Sequence, residues 1–461
     1  MKKVFVKFIS FLLIGLTVIL SGCNGEPENN DEVIISVGGW PKKQGETLTR
    51  LETRKKLFEK MNPNVKVERD YWVFDRITFY AKAAGGQLPT VFGVGYTEMP
   101  EIITSGYSAD LTDILKKRGY SGMFNEDILD KISQDGKIYG LPYGQYILGL
   151  AYNTELFQSA GLMEADGTPK QPKDWYEVVD FAVKIKESTG KPGFIFPTAN
   201  NYGGWIFTSV AWSFGVDFIK KDADGKWKAS FDTKEAVKAL EFIKDLKWKY
   251  DILPKNNLID GTEMYKLFAN GSGAMLITSP DVAGNVVNLG MSPDQLGLMA
   301  MPKGPEKHVT LLGGGVYCVN NKASEAEIDA AVRWIEMANS FKLTDEYKET
   351  TVQMLESKTE NKELIGIKGI SQWSNNAESL LWYNKQVDKY ANSNPNHIRL
   401  YNEFVENCPA QIRTEEPVCT QELYSVLDKC IQEVFVNENA DCEKLIKNAA
   451  AEFQANYLDN I

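Results

Sequence analysis

The sequence predicts an α/β protein of two lobes, delivered outside the cytoplasm. Three observations predict it. A greasy leader stops at a cysteine, about 440 residues follow it, and short β-rich runs then alternate with helical periods. A chain of that length exceeds what one hydrophobic core usually serves.

The leader carries Lys2, Lys3 and Lys7, an apolar run from Phe8 to Leu20, and the small residues Ser21 and Gly22 before Cys23. This is the layout of a secretory signal peptide. As a helix the run spans only about 20 Å, short of the roughly 30 Å of a hydrocarbon core. A removed signal over 1–22 is therefore expected, not a membrane helix. Asn24 to Asp31 has no large apolar residue, and 23–32 is read as a flexible tether.

With 43% hydrophobic and 25% charged residues the chain is an ordinary globular protein. A net charge of -11 repels phosphate backbones, so nucleic acid is excluded as a partner. Beyond Cys23 stand Cys318, Cys408, Cys419, Cys430 and Cys442, an odd number that forbids complete pairing within the chain but leaves room for one or two disulfides. Their spacing is unlike a zinc site. His308 and His397 are the only histidines, and the H-E-x-x-H, G-x-S-x-G and G-x-x-x-x-G-K-[ST] patterns are absent. No metal and no cofactor are expected. Carboxylate catalysis, which needs only two Asp or Glu, remains open.

Val33 to Val37 reads as a first strand. Leu48, Leu51, Leu57, Phe58 and Met61 recur at helical spacing until Pro63 closes the helix, and Val65 to Val67 and Val91 to Val94 read as further strands. This β-α-β-α-β order implies a parallel, doubly wound sheet. Asp174 with Glu177, Asp232 with Glu235 and Ser324 with Glu327 have the spacing of an N-cap and its third helical residue. After Ser371 the chain reads as mostly helical, punctuated by Pro395 and Pro409.

Six stretches, taken in order, resemble the extracellular solute-binding proteins that serve ABC importers, in their sugar-binding branch. They are "TRKKLFEKMNPNVKVE"; "AAGGQLPTVFGVG" with "SGYSADLTDIL"; "DGKIYGLPYGQYILGLAYNTELFQSAGL"; "NGSGAMLITS"; "LGLMAMPKGP"; and "GGGVYCVNNKASEAEIDAAVRWIEMA". Coverage runs from Val33 to Ala338. Two departures stand out: Thr90 where the family commonly has Asp, and Ser279-Pro280-Asp281 where it has a small-small-Trp. Leu20-Ser21-Gly22-Cys23 resembles the lipobox of bacterial lipoproteins, which implies lipidation of Cys23 and attachment to the outer face of the bacterial cytoplasmic membrane.

The resemblance implies a periplasmic-binding-protein-like fold, each lobe a doubly wound sheet flanked by helices, with the ligand in the cleft between lobes. Residues 33–143 and 300–365 would form the N-terminal lobe, and 144–299 and 366–461 the C-terminal lobe. The chain would cross between them at Leu141–Leu150, at Leu298–Pro302 and near Leu364–Ile370. A permease is the implied partner of a monomer.

Ligands bind at the carboxyl ends of parallel strands. Gly38-Gly39-Trp40 follows the first strand and Gly95-Tyr96 the third. A sugar offers a C–H face to aromatic rings and a rim of hydroxyls to Asn, Gln, Asp, Glu and Arg. Trp40, Tyr96, Tyr143, Trp205 and Trp373 are the candidate rings, Trp205 because two preceding glycines would bend the backbone to present it. Glu98, Gln145, Asp281 and the backbone at Gly314 are the candidate polar groups. Trp175, Trp248 and Trp334 lie on helical periods and read as core or lobe surface. The leading function is a sugar or oligosaccharide receptor that is not an enzyme. A surface glycoside hydrolase, with carboxyls about 5 to 10 Å apart, is the alternative; a metal or peptide receptor is a third.

Overall fold

The computed structural model describes residues 32–337 and 339–461. The expected signal peptide, Cys23 and the expected tether as far as Asp31 lie outside them. Strands β1 (Val33–Val37), β2 (Val65–Arg69) and β3 (Val91–Gly95) are parallel in the order β2-β1-β3, as the alternation predicts. Helix α1 (Glu46–Met61) ends where expected: the Asn62 amide N–H and side-chain NH2 both donate to the Phe58 carbonyl, at 2.9 and 2.8 Å, just ahead of Pro63.

Six more main strands complete the two lobes. β4 (Leu141–Ile147) leads through Leu148 into β5 (Gly149–Asn153), all of whose residues are buried. β5 pairs with β6 (Met275–Thr278) on one side and β7 (Leu296–Met299) on the other, both antiparallel. β8 (Val309–Val319) returns to the first sheet, antiparallel to β3 and β4, and β9 (Gln411–Arg413) lies parallel on its edge. The second lobe's small sheet therefore runs antiparallel where the first lobe's inner strands run parallel. The reason is topological: β5 carries the chain out of the first lobe and β7 carries it back, so neighbours must oppose.

One boundary differs from the expected one. Part of 366–461 sits with the first lobe: β9 pairs with β8, and Trp373 bridges to Phe124. An exposed strand edge is a run of unpaired donors and acceptors, and β9 covers one. The segment expected to cross near 364–370 runs along helix α3 (Pro395–Glu406), where Asn402 donates to the Gly366 carbonyl at 3.0 Å and accepts from the Lys368 amide at 2.9 Å. The later passage into the second lobe is at 414–419, between β9 and helix α4 (Thr420–Val436).

Two of the three expected caps form as read. Asp174 accepts from the Tyr176 and Glu177 amides, and Ser324 with Glu327 makes a reciprocal capping box. At the third, the cap is Thr233 instead of Asp232; its hydroxyl, one residue nearer the helix start, accepts from Ala236 N at 3.2 Å. Trp175 and Trp334 are buried and Trp248 is partly exposed. All five cysteines of the described residues are free thiols. No helix among those residues is long and apolar enough to cross a membrane.

Candidate ligand-binding site

Helix α2 (Tyr202–Ser213) brings Trp205 to the junction between lobes. The two glycines before it do not bend the chain; they are helical residues. A Cβ at Gly204 would overlap the Tyr424 backbone of α4, so glycine here permits two helices to touch. The turn into α2 is left-handed at Asn200 and Asn201, with φ of 56° and 69°. It is held by Asp428, reaching from α4 to accept from the Asn201 and Gly204 amides at 2.7 Å each. A carboxylate at a helix N-terminus satisfies orphan N–H groups and suits the dipole. Trp205 is thus a half-buried ring on a firmly capped helix, edge-on to Tyr202 with centroids 5.7 Å apart.

Crossing strand β4 brings Tyr146 to the same junction, where Glu415, Asp281 and Tyr202 act on its phenol. Tyr143 stacks on Tyr317 of β8 at 4.1 Å, and Tyr143 and Tyr146 lie over Gly315 and Gly313. Between those glycines the register of β8 shifts, and Gly314 takes φ +125° with its Cα too close to Gln145 for any side chain. Its expected role as bare backbone is set by that bulge. Burial raises the Tyr143 and Tyr146 phenols to about 12. Gln145 donates to Gln372, Gln372 to Asn339, and Asn339 to the Pro142 carbonyl, while Gln145 Oε1 has no partner. Glu98 is half-buried and its carboxylate overlies Gly95 at the end of β3. Asp281 is exposed, takes hydrogen bonds from Ser279 and Asn285, and exerts its charge on Tyr146 and Tyr202.

The group that joins these elements is Glu415, in the 414–419 passage, and sequence reasoning missed it. Thr97 Oγ1, on the first lobe, donates to its Oε2 at 3.0 Å. Trp205 and the Tyr424 hydroxyl face it from the second lobe. The Tyr424 hydroxyl does so without reaching hydrogen-bond geometry. Burial pushes the Glu415 carboxyl up, partly offset by these donors. Its only signal in the sequence was an acidic pair in a short loop.

Three candidate rings are buried in this structure. Trp40 and Tyr96 are 1% and 2% exposed; the Trp40 ring is packed with the Arg69 guanidinium 5.6 Å from its centroid. A Gly-Gly before Trp40 placed it at the strand end, but there the ring turns into the core. Trp373 is 3% exposed in a cluster with Tyr120, Phe124 and Phe341, where every face already has an aromatic neighbour. Elsewhere, a surface groove of about 350 Å3 lined by Lys191, Pro254, Lys255, Ile259 and Leu267 holds no aromatic ring and so suits a sugar face poorly. Among the described residues no cluster of His, Cys, Asp or Glu is placed to hold a metal.

The model for bacterial extracellular solute-binding proteins matches residues 39–340. The sn-glycerol-3-phosphate-binding periplasmic protein UgpB of Escherichia coli (strain K12) is 24% identical over 319 residues, 64% of this chain and 68% of that one. Two sugar-binding proteins share the fold: maltose-bound MalE3 of T. maritima (TM-score 0.62, 21% identity, 92% of this chain and 99% of that one) and the cyclic alpha-maltosyl-1,6-maltose binding protein of Arthrobacter globiformis (TM-score 0.64, 20% identity, 93% and 100%). With two α/β lobes, a seam lined by rings and hydrogen-bonding groups, and a family match over most of its length, this chain belongs to the bacterial extracellular solute-binding proteins, which are binding proteins and not enzymes.

Proposed function

We propose that this protein captures a sugar or oligosaccharide between its lobes and delivers it to the permease of an ABC importer, while Cys23 holds it by lipid to the outer face of the cytoplasmic membrane. The observation that carries the reading is the grouping of two half-buried rings from different elements, Tyr146 on β4 and Trp205 on α2, about the acceptor Glu415, which Thr97 meets from the first lobe, with Asp281 acting on the same Tyr146 phenol. Rings cover the C–H faces of a sugar and the acceptors take its hydroxyls. The fold neighbours named above bind maltose and a cyclic maltosyl-maltose. That kinship favours uptake over the hydrolase alternative, and the carboxylates serve as hydrogen-bond acceptors.

A thermal-shift screen against mono- and oligosaccharides tests the reading. A ligand at a hundred times its Kd adds about 2.7 kcal/mol of stability, and incubation with the best hit should return it intact by mass spectrometry. Silence across the sugar panel contradicts it. Cys23→Ala should move the protein from the membrane fraction to the soluble one; unchanged retention contradicts the anchor.

A further inference from the structure

Resting on the sugar reading, we infer that Glu415 is the charge-selecting residue of the cleft, admitting neutral sugars and rejecting phosphate-bearing solutes. Glu415 faces three donors, Thr97, Trp205 and Tyr424, and no cation among the described residues pairs with it. The nearest guanidinium in sequence, Arg413, is turned away, bonded to Asp217 at 2.7 Å and to Glu416 at 3.5 Å with its plane over Trp212. A second carboxylate, Asp281, acts on the same Tyr146 ring as Glu415.

The Tyr424 hydroxyl, 1% exposed and without a hydrogen bond, is aimed at this point. A buried donor left unpaired costs free energy, and a ligand hydroxyl placed between Tyr424 and Glu415 satisfies both groups. A phosphate placed there adds like charge at low dielectric, where repulsion is strongest. Phosphate sites are built from arginine forks, lysines or bare helix N-termini, and the N-terminus of α2 is already closed by Asp428. This separates the chain from its relatives named for glycerol phosphate.

The test is titration calorimetry of the full-length protein and Glu415→Gln with maltose, maltose 6′-phosphate and glycerol 3-phosphate. Wild type should prefer maltose over its phosphate ester at least tenfold and show no binding of glycerol 3-phosphate. Glu415→Gln should narrow that preference at least tenfold. Phosphate compounds binding wild type as tightly as maltose, or a preference unchanged in Glu415→Gln, overturn the inference. Should wild type bind neither maltose nor its ester, the sugar reading loses its support; glycerol 3-phosphate alone then decides, a gain of binding in Glu415→Gln supporting the selection and no gain overturning it.

Discussion

Helix α2 presents two tryptophans, two turns apart, to two consecutive glutamates. Trp212 is fully buried, donates its indole N–H to Glu416 at 3.2 Å and lies under the Arg413 guanidinium at 4.5 Å, and that guanidinium also pairs with Glu416. Trp205 is half-buried and faces Glu415, which has neutral donors and, among the described residues, no cation. Residue types, helix and loop are shared, yet one pair is closed into the core and the other stands at the seam between lobes. The difference is that Glu416 has a cation beside it and is closed into the scaffold, whereas Glu415, faced by neutral donors at the seam, is the acceptor we assign to the ligand.

The comparison can be broken from the scaffold side first. Trp212→Ala removes a fully buried indole and should cost about 4 kcal/mol of stability. Urea unfolding reads that loss, and titration of the folded fraction should show unchanged ligand affinity. Arg413→Met makes Glu416 resemble Glu415 by stripping its cation, and should cost about 3 kcal/mol, since removing one partner of a buried pair leaves a charge uncompensated. Adding Glu416→Gln should recover part of that loss in the same unfolding assay. Asp428→Asn keeps one acceptor for two amides and should cost about 2 kcal/mol, seen as faster hydrogen exchange at Asn201 and Gly204.

The smallest effect is a pH dependence. Burial raises the folded-state pKa of Glu415 above the ordinary carboxylate value, so the folded state holds its proton more tightly. That contribution to stability is complete below the unfolded pKa near 4.5 and is lost as pH rises through the raised folded value. Glu415→Gln should therefore melt close to wild type in acid and above it at neutral pH. Melting curves that stay parallel from acid to neutral pH contradict a buried, unpaired carboxylate.

The fold was largely legible in the sequence because its signals are local. β1, α1 and the caps at Asp174 and Ser324 are written in period and spacing, and their ends fall within a residue or two of where hydrophobic runs meet Pro63, Asp174 or Ser324. The site was legible only in part. Tyr143, Gln145 and Gly314 were candidates from the crossing strand, which forms with a register shift at Gly314, but Trp40 and Trp373 look in sequence like Trp205, and only tertiary packing separates a ring turned inward from a ring at a seam. Glu415 was invisible because its meaning lies in Thr97, 318 residues away. The Gly-Gly before Trp205 was misread for the same reason: its purpose is an approach by α4, which no local window contains.

The most direct test of the account is Trp205→Ala, measured by calorimetric titration with the best sugar beside the melting curve of the unliganded protein. Truncating an aromatic anchor typically costs roughly 2 to 4 kcal/mol of binding, which at about 1.4 kcal/mol per tenfold is a loss of roughly 30-fold to nearly a thousandfold. The account predicts that loss with a melting temperature close to wild type, the opposite of Trp212→Ala. Normal affinity together with a large fall in unliganded stability would show that Trp205 belongs to the scaffold and that the seam is not the binding site.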